Sequence, residues 1–302
     1  MRIVITGGSG LIGGGVAREM AGAGHEVVVL SRDPAKVTGL PAGARAVRWD
    51  GVSGAGWADL LNAETAIVHL AGESIAEGRW TEEKKRRIRE SRVRSGEAVM
   101  AAIREARGMP RVLLQGSAVG YYGPCGDELV AEDHPPGGDF LASVCRDWEA
   151  STAGVEALGV RRAVLRTGVV LAARAGALPK IALPIKMMVG GPLGSGRQWL
   201  PWIHLADEAG AIRFLVENDA ARGPFNLAAP NPATNRGFTQ AAARVLRRPA
   251  FLPAPGFALH LVLGEMAAMV LEGQRAVPRR LQELGYAFRF PELEPALRDV
   301  LD

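Results

Sequence analysis

Arg2-Ile-Val-Ile-Thr6 is followed at once by Gly7-Gly8-Ser9-Gly10-Leu11-Ile12-Gly13, and then by a helical pattern from Val16 to Met20. An apolar run, a glycine-dense turn and a helix start, in that order, open a nucleotide-binding α/β domain. Gly8 is read as allowing the tight turn out of the strand. Gly10 leaves room for a pyrophosphate against the backbone, and Gly13 lets the helix pack on the sheet. The helix N-terminus, at Leu11 and Ile12, offers unpaired N–H groups and a positive dipole end to phosphates. With 38 glycines in 302 residues, the spacing alone would carry little. Its place between a strand and a helix gives it weight.

The same alternation continues downstream. Glu26-Val-Val-Val-Leu30 reads as a second parallel strand, Arg45–Arg48 as a third, Ala66–Leu70 as a fourth, Arg111–Gln115 as a fifth and Arg161–Arg166 as a sixth. Helices are expected at Thr81 to Arg107, with Thr81 as N-cap, and at Phe140 to Leu158. Further helices are expected over Asp207–Glu217, with Asp207 as N-cap, over Gly237–Arg247 and near Leu259–Leu271. Pro224–Ala228 reads as one more strand. The fold class is α/β, a doubly wound parallel sheet of the Rossmann type with a smaller α-rich C-terminal part. Residues 1–172 form the dinucleotide-binding domain, its sheet completed by parts of 173–248. Segments of 173–248 line the substrate cleft, and 249–302 form the small C-terminal domain.

Composition narrows the function. The chain is 48% hydrophobic and 23% charged, with 36 basic against 32 acidic residues. So small an excess predicts a mixed surface and no nucleic-acid partner, and Lys84-Lys85-Arg86-Arg87 reads as a solvated helix face. Cys125 and Cys145 have no metal-ligand spacing, so neither a metal nor a disulfide framework is expected. Met1 precedes the first strand directly and no apolar run is long enough to span a bilayer. The expectation is therefore a cytoplasmic chain with a small-molecule substrate and no membrane partner, a homodimer being left open.

The cofactor can be read from the strand ends. An acid after the second strand binds the free ribose hydroxyl of NAD, whereas an Arg accommodates the phosphate of NADP. Ser31 stands at that place and Arg32 follows, which favours NADP. Asp33 is the residue that would serve NAD. Asp50 closes the third strand, either reaching the adenine amino group or capping its own loop. Leu70, Ala71 and Gly72 end the fourth strand, with small residues against which a cofactor can lie.

Thr6–Gly13, Leu70-Ala-Gly-Glu-Ser-Ile-Ala76, Arg79-Trp-Thr-Glu-Glu83, Glu90-Ser-Arg92, Ser117-Ala-Val-Gly-Tyr-Tyr-Gly123 and Pro201-Trp-Ile-His-Leu-Ala-Asp207 together resemble the atypical extended short-chain dehydrogenase/reductases of the YfcH-type epimerase family. Leu271-Glu-Gly-Gln274 and Val277-Pro-Arg-Arg280 resemble that group's C-terminal domain of unknown function. The resemblance spans nearly the whole chain. It implies an NADP site with Gly7, Gly10 and Gly13 at the pyrophosphate, Ser31 and Arg32 at the ribose phosphate and Leu70 and Ala71 at the fourth strand. Arg92 from the long helix and Val170 near the nicotinamide complete it.

The family's chemistry uses a Tyr as acid/base and a Lys four residues later that lowers the phenol pKa. Here Tyr121, Tyr122 and Tyr286 are followed four places on by Cys125, Gly126 and Phe290. In the helix where the pair belongs the matching residues are Leu141 and Cys145. Ser117 holds the place of the family's catalytic Ser, and Tyr121 or Tyr122 is the nearest phenol, so Ser117 and Tyr121 are the catalytic candidates. Structural roles explain them equally well: a turn cap for Ser117 and loop packing for the tyrosines. Trp199, Trp202 and Glu73 are candidates for lining the cleft. An NADP-dependent oxidoreductase or epimerase-like enzyme and a non-catalytic NADP(H)-binding sensor both fit these residues.

Overall fold

The computed structural model describes residues 1–301. Seven parallel strands make the central sheet: β1 (Arg2–Thr6), β2 (Glu26–Ser31), β3 (Arg45–Arg48), β4 (Thr65–His69), β5 (Val112–Ala118), β7 (Arg161–Thr167) and β11 (Gly223–Leu227). Six short strands pair outside it: β6 (Leu129–Val130) with β13 (Arg275–Ala276), β8 (Val169–Leu171) with β10 (Trp202–His204), and β9 (Trp199–Leu200) with β12 (Ala233–Thr234). The helices are α1 (Leu11–Gly22), α2 (Glu82–Glu105), α3 (Phe140–Ala150), α4 (Leu178–Lys186), α5 (Leu205–Glu217), α6 (Asn235–Leu246), α7 (Gly256–Leu263), α8 (Ala268–Leu271), α9 (Arg279–Glu283) and α10 (Leu293–Leu301).

The sheet order is β11-β7-β5-β4-β1-β2-β3. The order reverses between β1 and β4, and a crevice opens there at the carboxyl ends of the strands. Alternate residues of each strand feed opposite faces. Ile3, Ile5, Val27 and Val29 pack with Val16 and Met20 of α1 and Ile212 of α5. Val4, Val28, Ile67 and Leu113 pack on the other face with Val99 and Ile103 of α2. This two-sided burial is why the strands read as continuous apolar runs. A further apolar layer, built on Trp202, Phe238, Ala242 and Leu297, joins β10 to α6 and α10.

Three elements differ from the sequence reading. The helix from Phe140 stops at Ala150, where Ser151 Oγ donates to the Trp148 carbonyl at 2.7 Å and diverts the backbone into a short 3-10 turn over Ala153–Leu158. The helix expected near Leu259–Leu271 starts earlier, at Gly256, and breaks at Gly264, whose φ of 60° no helix continues. The N-cap of α5 is His204, whose Nδ1 accepts from the Ala206 N–H at 3.1 Å, not Asp207. Asp207 is buried one turn further in. It accepts from the Arg289 and Phe290 N–H groups at 2.7 and 2.8 Å, and the Tyr286 hydroxyl donates to its carbonyl at 3.0 Å.

Candidate functional site

The crevice is framed by two turns that touch. Gly7, at φ 70°, is the residue that makes the turn out of β1, a task the sequence had given to Gly8. A Cβ on Gly7 would lie 2.9 Å from the Leu70 carbonyl, and one on Gly13 would lie 2.3 Å from the Gly7 oxygen. Gly8 instead backs onto Val29, whose methyls stand 2.7 and 2.8 Å from where its Cβ would be. Gly10 is the N-cap of α1. The first turn of α1 has no capping side chain and no acid, so no carboxylate or side-chain cap competes for the amides at this helix start.

Thr6 ties the turns together. Its Oγ1 accepts the N–H groups of Leu70 and Ala71, both at 3.1 Å, and is hydrogen-bonded to His69 Nδ1 at 2.7 Å. The other ring nitrogen, Nε2, accepts from the Trp148 indole N–H at 3.5 Å and lies 3.4 Å from Ser95 Oγ. Burial holds His69 down at about 3, so it stays neutral.

At the end of β2, Asp33 pairs with Lys36 at 3.0 Å, while Arg32 is exposed and, among the described residues, unpaired. Ser31 Oγ accepts from the Asp33 N–H at 3.2 Å. Of the two roles read for Asp50, the geometry displays the loop cap. Its oxygens accept from the N–H groups of Val52 and Ser53 and from Ser53 Oγ, at 2.8, 2.8 and 2.6 Å, which keeps the carboxyl below its usual range. Behind Gly72, Arg92 donates to the carbonyls of Glu73 and Ile88, both at 3.0 Å, and lies 5.0 Å from the Trp148 ring centre. Arg92 thus holds the loop after β4. Val170 is buried on β8, and the following segment returns Gly176 to within van der Waals reach of Leu11.

Beyond this cradle lies a polar lock. Ser117 Oγ donates to Glu149 Oε1 at 2.7 Å. Arg166 donates to both Glu149 oxygens, at 3.0 and 3.1 Å, and to the Tyr122 hydroxyl at 3.1 Å. Burial opposes the charge of Arg166, but the fork onto Glu149 outweighs it and holds the guanidinium above its ordinary pKa. Tyr122 is buried and donates to Asn226 Oδ1 at 2.6 Å; burial pushes its phenol up to about 12. It is not the available phenol. Tyr121 is half-buried, with its ring centre 3.5 Å from the Arg166 guanidinium carbon and its hydroxyl bonded to no described residue. Leu141 stands beside Gly120, and burial pushes the Cys145 thiol up to about 11, which leaves no thiolate nucleophile.

The proposed cleft residues are mostly occupied elsewhere. Trp202 is fully buried in the α6–α10 layer. Glu73 is paired with Lys84 and Arg87 at 2.7 and 3.3 Å. Trp199 donates to Asp127 at 2.8 Å and stacks under Arg275. Glu149 and Arg166 were missed from sequence. The available signal was the charge of Arg166 directly after the apolar run Ala163-Val-Leu165 of a parallel strand, where an unpaired cation is rarely tolerated.

A parallel sheet that reverses at β1 and β4, with an uncapped glycine turn at the reversal, defines a dinucleotide-binding protein of the short-chain dehydrogenase type. The chain matches the NAD dependent epimerase/dehydratase family over residues 3–228 and a domain of unknown function, DUF1731, over 254–300. It belongs to that epimerase/dehydratase family. It is 38% identical over 302 residues to the epimerase family protein YfhF of Bacillus subtilis, covering 100% of this chain and 98% of that one. To mouse epimerase family protein SDR39U1 it is 38% identical over 305 residues, with both chains fully covered. The crystal structure of human SDR39U1 (isoform 2) with NADPH superposes at a TM-score of 0.89, with 35% identity and 99% of each chain covered. A UDP-glucose 4-epimerase complex with NAD from Thermus thermophilus, at 19% identity and a TM-score of 0.79, shares the fold.

Proposed function

We propose that the chain binds NADP(H) in the crevice between β1 and β4 and is an oxidoreductase or epimerase-like protein with a reduced proton-transfer apparatus. The observation that carries this reading is the cradle: two glycines whose Cβ atoms would strike backbone, beside a helix start without cap or acid. The amides of Leu11, Ile12 and Gly13 hold the pyrophosphate, with Gly7 and Gly10 keeping the approach open. Arg32, unpaired while Asp33 is spent on Lys36, takes the ribose phosphate, and Ser31 adds a hydroxyl. Leu70, Ala71 and Gly72 form the wall against which the nucleotide lies, and Arg92 positions that wall. Val170 and Leu11 bound the nicotinamide end. The NADPH of human SDR39U1 supports this choice of cofactor.

Bound there, the cofactor supplies hydride chemistry. The chain's own contribution to proton transfer rests on Tyr121, whose hydroxyl is uncommitted, next to the Arg166 cation. Ser117 keeps its proton on Glu149, so it presents lone pairs to the cleft and accepts a hydrogen bond from substrate. A second reading, binding without turnover, is favoured by that same Ser117–Glu149 bond and by Leu141 and Cys145 at the places of Tyr and Lys. Incubation of the NADPH complex with a panel of carbonyl compounds, followed by absorbance of the reduced cofactor, separates the two. Turnover that Tyr121→Phe lowers about 100-fold supports the enzyme. NADPH binding with no turnover supports the sensor.

A further inference from the structure

We infer that the face built by α4, the Phe251–Leu252 segment and α7 docks on an anionic lipid surface. Twelve large apolar side chains are exposed among the described residues, and nine of them fall in 183–189 and 251–262. Backbone hydrogen bonds join the two stretches. The Leu252 N–H donates to the Gly190 carbonyl at 3.2 Å, Ala254 to Pro192 at 3.0 Å and Gly194 to Ala254 at 2.8 Å. These bonds set Met187, Met188 and Val189 beside Phe251 and Leu252, with Phe257 and Leu261 one helical turn apart on α7. The seven are between 47 and 78% exposed. α7 reads Gly-Phe-Ala-Leu-His-Leu-Val-Leu and has no buried residue. A helix this apolar is normally enclosed, and a patch this concentrated marks an interaction surface.

Charge selects the occupant. No Asp or Glu occurs from Ala157 to Ala206 or from Ala220 to Gly264, the two stretches that contain the face. Their cations include Lys180 and Lys186 on α4 and Arg244, Arg247 and Arg248 at the end of α6. The three arginines and Phe251 line a cavity of about 400 Å³. Glu294 engages Arg244 at 3.1 Å, while no described acid pairs with Lys186, Arg247 or Arg248. The two non-glycine residues with positive φ among those described are Met188, at 61°, and Arg247, at 52°. Side chains rarely adopt that conformation, and here it occurs at an apolar tip and at the basic groove. At the other end of the face, after α7, the exposed Glu265 is paired with Lys85 at 2.6 Å; apolar side chains flanked by Lys186, Arg247 and Arg248 suit acyl chains below phosphate headgroups. A second copy would set these same cations against one another. No described helix is long and apolar enough to cross a membrane. The sequence reading sought a span, and a peripheral surface needs none.

Sedimentation of the full chain with phosphatidylcholine vesicles, with and without phosphatidylglycerol, tests this. Binding is expected only to the mixed vesicles and weakens as salt rises. The variant F257D/L261D abolishes it. R247G/R248Q, which keeps a residue suited to the αL backbone at 247, weakens it about 25-fold, or about five-fold per charge. Equal binding to neutral vesicles, or none to either, overturns the inference, and this wild-type comparison stands even if a variant misfolds. A dimer in light scattering that F257D/L261D splits also overturns it, since a second copy would then cover the face. NADPH titration of both variants matches wild type, so this test fails or succeeds independently of the cofactor site.

Discussion

In the proposed site, Arg32 is the residue that distinguishes phosphorylated from unphosphorylated dinucleotide. A charge-assisted bond of about 1.5–3 kcal/mol corresponds to about a 10- to 100-fold change in affinity. Arg32→Ala therefore raises the Kd for NADPH by that factor and leaves NADH within about two-fold, read by nicotinamide fluorescence. Equal weakening of both would place the ribose phosphate elsewhere. Glu208 offers a test of stability. It is fully buried, Thr167 donates to one oxygen at 2.9 Å and the other has no described partner. Burial pushes its carboxyl up to about 8. The unfolded chain ionises this group near its ordinary pKa while the folded chain does not, so the group lowers stability progressively between about pH 4.5 and 8. Glu208→Gln removes that loss. Its Tm should exceed wild type by several degrees at pH 8 and by little at pH 5. A difference independent of pH would contradict the burial argument.

Among the elements, β7 and α3 depend on each other through Arg166 and Glu149. Each of the two side chains is largely buried, and removing one strands the other's charge. Arg166→Met or Glu149→Gln alone costs about 3–5 kcal/mol in urea unfolding, and the double variant less than the sum. The parallel strands were legible because burial on both faces writes Ile-Val-Ile and Val-Val-Val without alternation. The glycine turn was legible because close backbone approach admits only that residue. Glu149 was not: a carboxylate on an amphipathic helix looks solvated until the Arg that meets it is placed 17 residues on in the adjoining strand. His69 was hidden for the same reason. Its partners Thr6, Ser95 and Trp148 come from three other elements, and no local pattern joins them. Leu141 and Cys145 were legible as an absence, from the missing Tyr-x-x-x-Lys.

Across the whole molecule, a buried acid on α5 makes some of the bonds that fasten the C-terminal segment. Asp207 holds the Arg289 and Phe290 amides, and Tyr286 reaches back to it. Asp207→Ala leaves two partly buried N–H groups unpaired and should speed amide exchange at 286–301 at least about ten-fold while the β1–β4 strands stay protected. Uniform acceleration throughout would mean that the tail and the sheet open together. The crevice between β1 and β4 is the proposed nucleotide site, and titrating the folded chain with NADPH tests it most directly. Saturable fluorescence enhancement, tighter for NADPH than for NADH and lost in Gly13→Ala despite retained folding, is the expected result. A folded wild-type chain that shows neither heat nor fluorescence change with any nicotinamide dinucleotide would contradict it.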